Sequence, residues 1–247
     1  MLAIRKADEI HHEQGGWFDA RWHFSFAHYR DPEQMGLGPL RVFNDDRLVP
    51  GAVWPMHPHA DVEGITYVVE GSFRHEDDAG GGGGVLEPGG VQRMTLGSGA
   101  RHSEQNASTD HPLRFLQFWI LPDTPSLEPG VEQRQFRQED FRGRLRQVLG
   151  KGGDGVVHVH QDASAFIGIL DEGESASHEL SGGQAAYIYV IDGLGSIDGE
   201  EVRAGDAAKA AGPHTVQLEG QAGFHVIVVD VPATFERVGV WAANPEA

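Results

Sequence analysis

Hydrophobic and polar positions along this chain alternate in short runs instead of recurring every three or four residues. Trp22, Phe24 and Phe26 fall on one side of an extended segment, and Leu40-Arg41-Val42-Phe43 alternates before ending in Asn44-Asp45-Asp46. Ile65 to Val69, Val91 to Leu96 and Leu113 to Leu121 are apolar runs of strand length. Breakers punctuate them at Pro50-Gly51, Glu70-Gly71, Glu87-Pro88-Gly89-Gly90 and Gly97-Ser98-Gly99. The pattern predicts an all-β protein. Leu2 to Ile10 reads as a first strand, His11 to Gly16 as a loop, and Pro32 to Pro39 as another. Asp77-Asp78-Ala79 with Gly80 to Gly84 reads as a hairpin tip. That glycine run lacks the Lys-Ser/Thr pair of a phosphate-binding loop.

Beyond Leu121 the signal weakens and then returns. Pro122 to Gly130 reads as a connector, and Gln133 to Gln147 leaves helix and strand tied. Strand-like runs resume at Val156 to His160, Ala165 to Leu170, Ala186 to Ile191, Gly195 to Ile197 and Ala222 to Val229, with Asp198-Gly199 as a hairpin turn. Two units are therefore expected: residues 1–125, a linker at 126–144, and residues 145–247. The similar spacing of strands and turns suggests an internal duplication.

Composition narrows the function classes. The chain has 247 residues, room for two domains, and its 34 glycines suit an architecture of many tight turns. A formal net charge of −18 argues against nucleic-acid binding, which needs clustered Lys and Arg on the phosphates. The absence of cysteine removes disulfides, thiolate metal sites and Cys nucleophiles together. The first residues hold no apolar core of signal-peptide length, and no run approaches the ~18–20 apolar residues of a membrane span. A cytoplasmic protein without membrane attachment is the expectation.

The candidate chemistry lies in two pairs. His57 and His59 stand at i and i+2 just before the Ile65 run, and side chains two apart on an extended backbone share a face. Pro58 between them fixes its own φ and biases His57 towards extended geometry, which stiffens the pair. His102 and Glu104 repeat the i, i+2 spacing after the Gly97-Ser98-Gly99 corner. Three imidazoles and a carboxylate suit one divalent first-row metal and leave one or two coordination positions open. Glu63 shares the parity of His57 and His59, so parity alone leaves it open as a ligand. The adjacent His11 and His12 would point to opposite faces and make a poor chelating pair. His158 and His160 form another i, i+2 pair, yet neither they nor His178 and His214 have a carboxylate-bearing second pair, and scaffold or surface roles are expected for all four.

These residues carry a family resemblance. Gly51-x5-His57-x-His59-x3-Glu63 looks like the first cupin motif, and Gly99-x2-His102-x3-Asn106 looks like the second. More narrowly, His57-Pro58-His59, Thr66-Tyr67-Val68, Glu70-Gly71, His75-Glu76-Asp77, Pro88-Gly89, Gln92-Arg93-Met94 and His102-Ser103-Glu104 are similar to the pirin family. The resemblance is dense over residues 40–120 and thinner towards the C-terminus. It implies two tandem cupin barrels, of the double-stranded β-helix or jelly-roll kind, the first binding metal and the second degenerate. It also implies a mononuclear site of His57, His59, His102 and Glu104, with Glu63 outside the ligand set and orienting a ligand imidazole. Iron is the metal it favours, with Mn, Co, Ni, Cu and Zn compatible. Because bacterial pirins include quercetin 2,3-dioxygenases, the implied reaction opens the heterocyclic ring of a flavonol with dioxygen and releases carbon monoxide, Glu104 serving as catalytic base. Trp54, Met56, Phe115 and Phe118 are candidates to line an aromatic-sized pocket. The rival readings are a non-enzymatic, metal-binding regulator that docks on a protein partner, and another cupin chemistry such as isomerisation.

Overall fold

The computed structural model describes residues 2–80 and 84–243. Of the expected hairpin tip, Gly81 to Gly83 lie outside the described residues. No α-helix occurs among the described residues, only three short 3-10 turns, and no helix is long and apolar enough to cross a membrane. The strands of the first half are β1 (Leu2–Arg5), β2 (His11–Gln14), β3 (Phe18–Trp22), β4 (Leu40–Leu48), β5 (Val53–His59), β6 (Glu63–Glu70), β7 (Phe73–Asp77), β8 (Gly84–Leu86), β9 (Gly90–Thr95), β10 (Ala100–Asn106), β11 (Leu113–Ile120) and β12 (Gly130–Gln135). Those of the second half are β13 (Leu145–Gly150), β14 (Val157–His158), β15 (Ser164–Leu170), β16 (Ser175–Leu180), β17 (Gln184–Ile197), β18 (Glu200–Arg203), β19 (Ala207–Ala211) and β20 (His214–Pro232).

The chain forms two compact units. The N-terminal unit spans His11–Arg137 with Val157–Gln161 and the stretch from Glu236 onwards. The C-terminal unit takes the residues up to Ile10, Gln138–Val156 and Asp162–Phe235. The expected linker at 126–144 is largely structured. Its β12 pairs antiparallel with β9, and a 3-10 turn follows at Gln138–Phe141. Conversely β1, at the start of the chain, pairs with β19 near its end. Neither long-range partnership leaves a trace in local hydrophobic pattern.

Each unit is a sandwich of two antiparallel sheets, and the two repeat one strand order. In the N-terminal unit the sheets run β5-β10-β7-β8 and β12-β9-β6-β11-β4-β3-β2. In the C-terminal unit the corresponding orders are β16-β20-β17-β18 and β1-β19-β17-β20-β15-β13, because the long β17 and β20 take part in both. Asp198 (φ 53°) and Gly199 (φ 81°) supply the two left-handed residues of the β17–β18 hairpin, as the Asp-Gly pair predicts.

Several local expectations change in three dimensions. The first strand stops at Arg5, and His11–Gln14 is a strand paired with β3, not a loop. Strand β3 ends at Trp22, so the alternation through Phe26 belongs to irregular backbone.

The period-2 alternation sorts the N-terminal unit into an inner and an outer face. Along β11, Leu113 and Phe115 join Leu48, Val68, Phe73 and Leu86 in an apolar cluster that fills one end of the interior. Further along the same inner face stand Gln117 and Trp119. On the outer face Phe118 stacks on Phe43 at 5.8 Å, and Arg114 pairs with Asp45 at 2.7 Å.

Candidate metal centre

Strand register brings the two sequence pairs together. His102 on β10 lies directly opposite His57 on β5, and Ala100 lies opposite His59. A bulge in β5, which takes three steps from His57 to Trp54 against the two of β10 from His102 to Glu104, sets Trp54 opposite Glu104, while the unbroken register with β7 sets His75 opposite it. A bulge inserts a residue into one strand and re-aims the side chains beside it. The corner that launches β10 needs glycine at Gly97 (φ 28°), where a Cβ would collide with the Leu127 carbonyl.

The ring centroids of His57, His59 and His102 lie 4.5–5.5 Å apart, and one ring nitrogen from each falls within 4.8 Å of the others. The His57 Nδ1–H donates to the Pro55 carbonyl at 2.7 Å, which leaves Nε2 with a free lone pair. His59 Nε2 and both His102 nitrogens are buried without a hydrogen-bond partner. Unsatisfied buried nitrogens are costly in a folded protein, so this trio has the donor chemistry and the orphaned atoms of a metal site. Burial, reinforced by the neighbouring imidazoles, holds His59 down to about 4 and His102 down to about 2, so both rings are neutral at physiological pH.

Glu104 lies on the same inner face, with Oε1 3.9 Å from His102 Nδ1. The Gln117 side-chain amide donates to that oxygen. Burial pushes the Glu104 carboxyl up to about 7, against the opposing effect of the Gln117 hydrogen bond. Two further groups stand close by. His75 is fully buried, 5.6 Å from the His102 ring, and burial lowers its pKa. Asp46 is raised well above the usual carboxylate range by burial first, then by Glu104 and Asp45.

His57, His59, Glu104 and Asp46 border a pocket of about 460 Å³ including its open mouth. His57, His59, Glu104, Asn44, Asp46 and Gln117 form its polar lining, and Trp22, Phe26, Trp54, Phe115 and Trp119 its aromatic one. The Trp119 ring stands 4.5 Å from His59. Of the four lining residues expected from sequence, Trp54 and Phe115 are there. Met56 is 39% exposed instead, and Phe118 points to the outer face. Trp22, Phe26, Asn44 and Asp46 were missed, because which strand faces β10 across the interior depends on sheet order. For Asn44 and Asp46, the alternation along β4 carried the signal.

Glu63 needs a correction. Parity aligned it with His57 and His59, but β5 ends at His59 and the chain turns through Asp61 (φ 51°) before β6 begins. Glu63 then faces elsewhere. It accepts hydrogen bonds from Thr95 Oγ1 at 2.8 Å and from the His160 backbone and ring at 2.7 and 2.8 Å, partners that lie outside the candidate ligand set. Its role is to anchor the 157–161 segment. His160 has the scaffold role expected of it, and His178, bonded to Asp230 at 2.8 Å, has one in the C-terminal unit.

Comparisons with known proteins place this arrangement. Residues 4–120 match the family model described as Pirin, and residues 148–231 match the model described as Quercetinase C-terminal cupin domain. The quercetin 2,3-dioxygenase of Escherichia coli strain K12 is 35% identical over 233 residues, covering 94% of this chain and 99% of that protein. The chain belongs to the pirin family. Its fold is that of the two cupin units of a pirin. The crystal structure of the bacterial pirin YhhW from Escherichia coli superposes with a TM-score of 0.89 at 33% identity, covering 96% of this chain and 100% of that one. A second crystal structure of YhhW, in complex with nickel(II), gives a TM-score of 0.87 at 34% identity over 94% of this chain and 99% of that one.

Proposed function

We propose that this pirin is a metal-dependent dioxygenase that opens the heterocyclic ring of a flavonol such as quercetin, using a mononuclear site in its N-terminal cupin. His57 through Nε2, His59, His102 and Glu104 would hold the ion. The observation that carries the reading is the convergence of three imidazoles within 4.8 Å of one another, two of which, His57 and His59, share the wall of an aromatic-lined pocket with the buried Glu104 carboxyl. A concave, aromatic-lined pocket of this kind supports turnover of a small molecule over docking of a protein partner. The names of the relatives, quercetin 2,3-dioxygenase among them, and the nickel in one solved pirin point the same way.

Bound there, a divalent metal supplies Lewis acidity to a substrate hydroxyl oxygen. The chain's own residues do the rest. Glu104, a carboxylate once it holds the ion, would take the proton of the flavonol hydroxyl. Gln117 fixes the orientation of Glu104 by its amide. Trp22, Phe26, Trp54, Phe115 and Trp119 present apolar faces for a flat polyphenol and exclude water from the reacting ring. Iron is the favoured metal, with Mn, Co, Ni, Cu and Zn compatible with an N/O donor set.

Protein reconstituted separately with Fe, Mn, Co, Ni or Cu is expected to bleach the quercetin absorption band and release carbon monoxide. Glu104→Gln is expected to lower that rate by about 10²–10⁴. If no metal form consumes quercetin, the flavonol reading is wrong.

A further inference from the structure

A second group of metal-binding side chains lies outside the buried centre. On β2, His11 and Glu13 stand at i and i+2 and are half-buried, while His12 and Gln14 face outwards. His28, from the irregular segment after β3, closes over the same spot. His11 Nε2 lies 3.2 Å and His28 Nε2 3.0 Å from one oxygen, Glu13 Oε2, and the three donor atoms all fall within 4.8 Å of one another. Metal–donor bonds of about 2.0–2.1 Å put neighbouring donors about 2.8–3.0 Å apart in octahedral and about 3.3–3.4 Å apart in tetrahedral geometry, so the two His–Glu spacings already fall within that span. The rings are held in place. His11 stacks on Tyr29 at 4.2 Å with an 8° interplanar angle, and Trp22 lies 5.5 Å from His11 and 5.4 Å from His28.

We propose that His11, Glu13 and His28 form a second site for a divalent first-row metal ion, with two imidazole nitrogens and one carboxylate oxygen as protein ligands. Each neutral imidazole shifts its proton to Nδ1 and offers Nε2, and water fills the remaining positions. The ion would tie β2 to the segment that carries Phe26. Trp22 and Phe26 both line the pocket of the buried centre, so the second ion braces that wall from behind.

The test begins with metal-free full-length protein dialysed against buffered micromolar nickel(II), with bound metal counted by mass spectrometry. Wild type is expected to hold two ions per chain and His28→Ala one. The His28 side chain is 69% exposed, so its removal leaves folding intact. Copper(II) EPR gives a second readout. In a His57→Ala/His102→Ala background the buried group keeps a single imidazole, and a two-nitrogen copper signal is expected from the surface site. That signal should vanish when His28→Ala is added. The proposal is overturned if His28→Ala binds as much nickel as wild type, or if the two-nitrogen signal is absent from the double variant or survives the triple one. Both outcomes concern the surface trio alone and leave the buried centre to its own test.

Discussion

The two cupin units share a strand order and differ in what fills their interiors. In the N-terminal unit the strand pair β5–β10 turns His57, His59, His102 and Glu104 inwards. In the C-terminal unit the pair holding the same place in its sheet, β16–β20, sets Ala176 opposite Leu218 and His178 opposite Val216. There Val216, Leu218, Ile188, Val190, Phe224, Val226 and Val228 belong to one buried apolar cluster. His178 survives as an inward imidazole, but it is spent on Asp230 and packs on Phe166 at 4.6 Å. One barrel is closed by dispersion and hydrophobic burial. The other leaves nitrogens unsatisfied and a carboxyl desolvated, a stability cost that a functional site tolerates.

The sharpest way to break that contrast is His102→Ala. Metal affinity of the buried centre is expected to fall about 100-fold or more, read by competition with a chromogenic chelator. The thermal midpoint of the metal-free protein should hold or rise, because both His102 nitrogens lack partners. A variant that melts much lower without metal would show that the N-terminal interior is structural after all. Leu218→Ala is the mirror experiment. It should cost about 2–5 kcal/mol in denaturant unfolding, as a cavity in a close-packed core does, and leave the metal content of the N-terminal unit unchanged. Glu63→Gln separates scaffold from ligand within the N-terminal unit. Replacing one of its two acceptor oxygens with an NH2 that faces donors of Thr95 and His160 should cost about 1–3 kcal/mol in the same measurement, with metal stoichiometry intact. A loss of metal instead would return Glu63 to the ligand set.

The smallest effect is one of pH. Without metal, Glu104 titrates at about 7, whereas His59 and His102 stay neutral down to about 4 and 2. Metal must displace the Glu104 proton, so binding tightens as pH rises towards 7 and weakens about tenfold per unit below it. Calorimetry in buffers of different ionisation enthalpy checks this by the proton released per metal bound near pH 6. No release would mean that Glu104 does not bind as a carboxylate.

Much of this was legible in the sequence because β structure writes itself locally. Alternation placed β4, β6, β9 and β11 to within a few residues, and the same period put His57 with His59 and His102 with Glu104 on shared faces. The same rule held a further pair that went unread: beside the adjacent His11 and His12, the informative spacing was His11 to Glu13. Glu63 shows where the rule stops, since parity counts only while the strand continues, and Asp61 in a left-handed conformation ends the count.

The amino-acid sequence by itself determined the all-β character, the two metal-type pairs and the exclusion of thiolate chemistry, because each depends on residue type and near-neighbour spacing. Only the tertiary structure decided that His57 pairs with His102, that a bulge in β5 sets Trp54 opposite Glu104 and that Asn44 and Asp46 border the pocket. It alone put β12 on β9, β1 on β19 and His28 over Glu13. Those are choices of partner between segments far apart in the chain. They are settled by which pairings bury apolar surface and satisfy backbone hydrogen bonds together, a global condition that no local window contains.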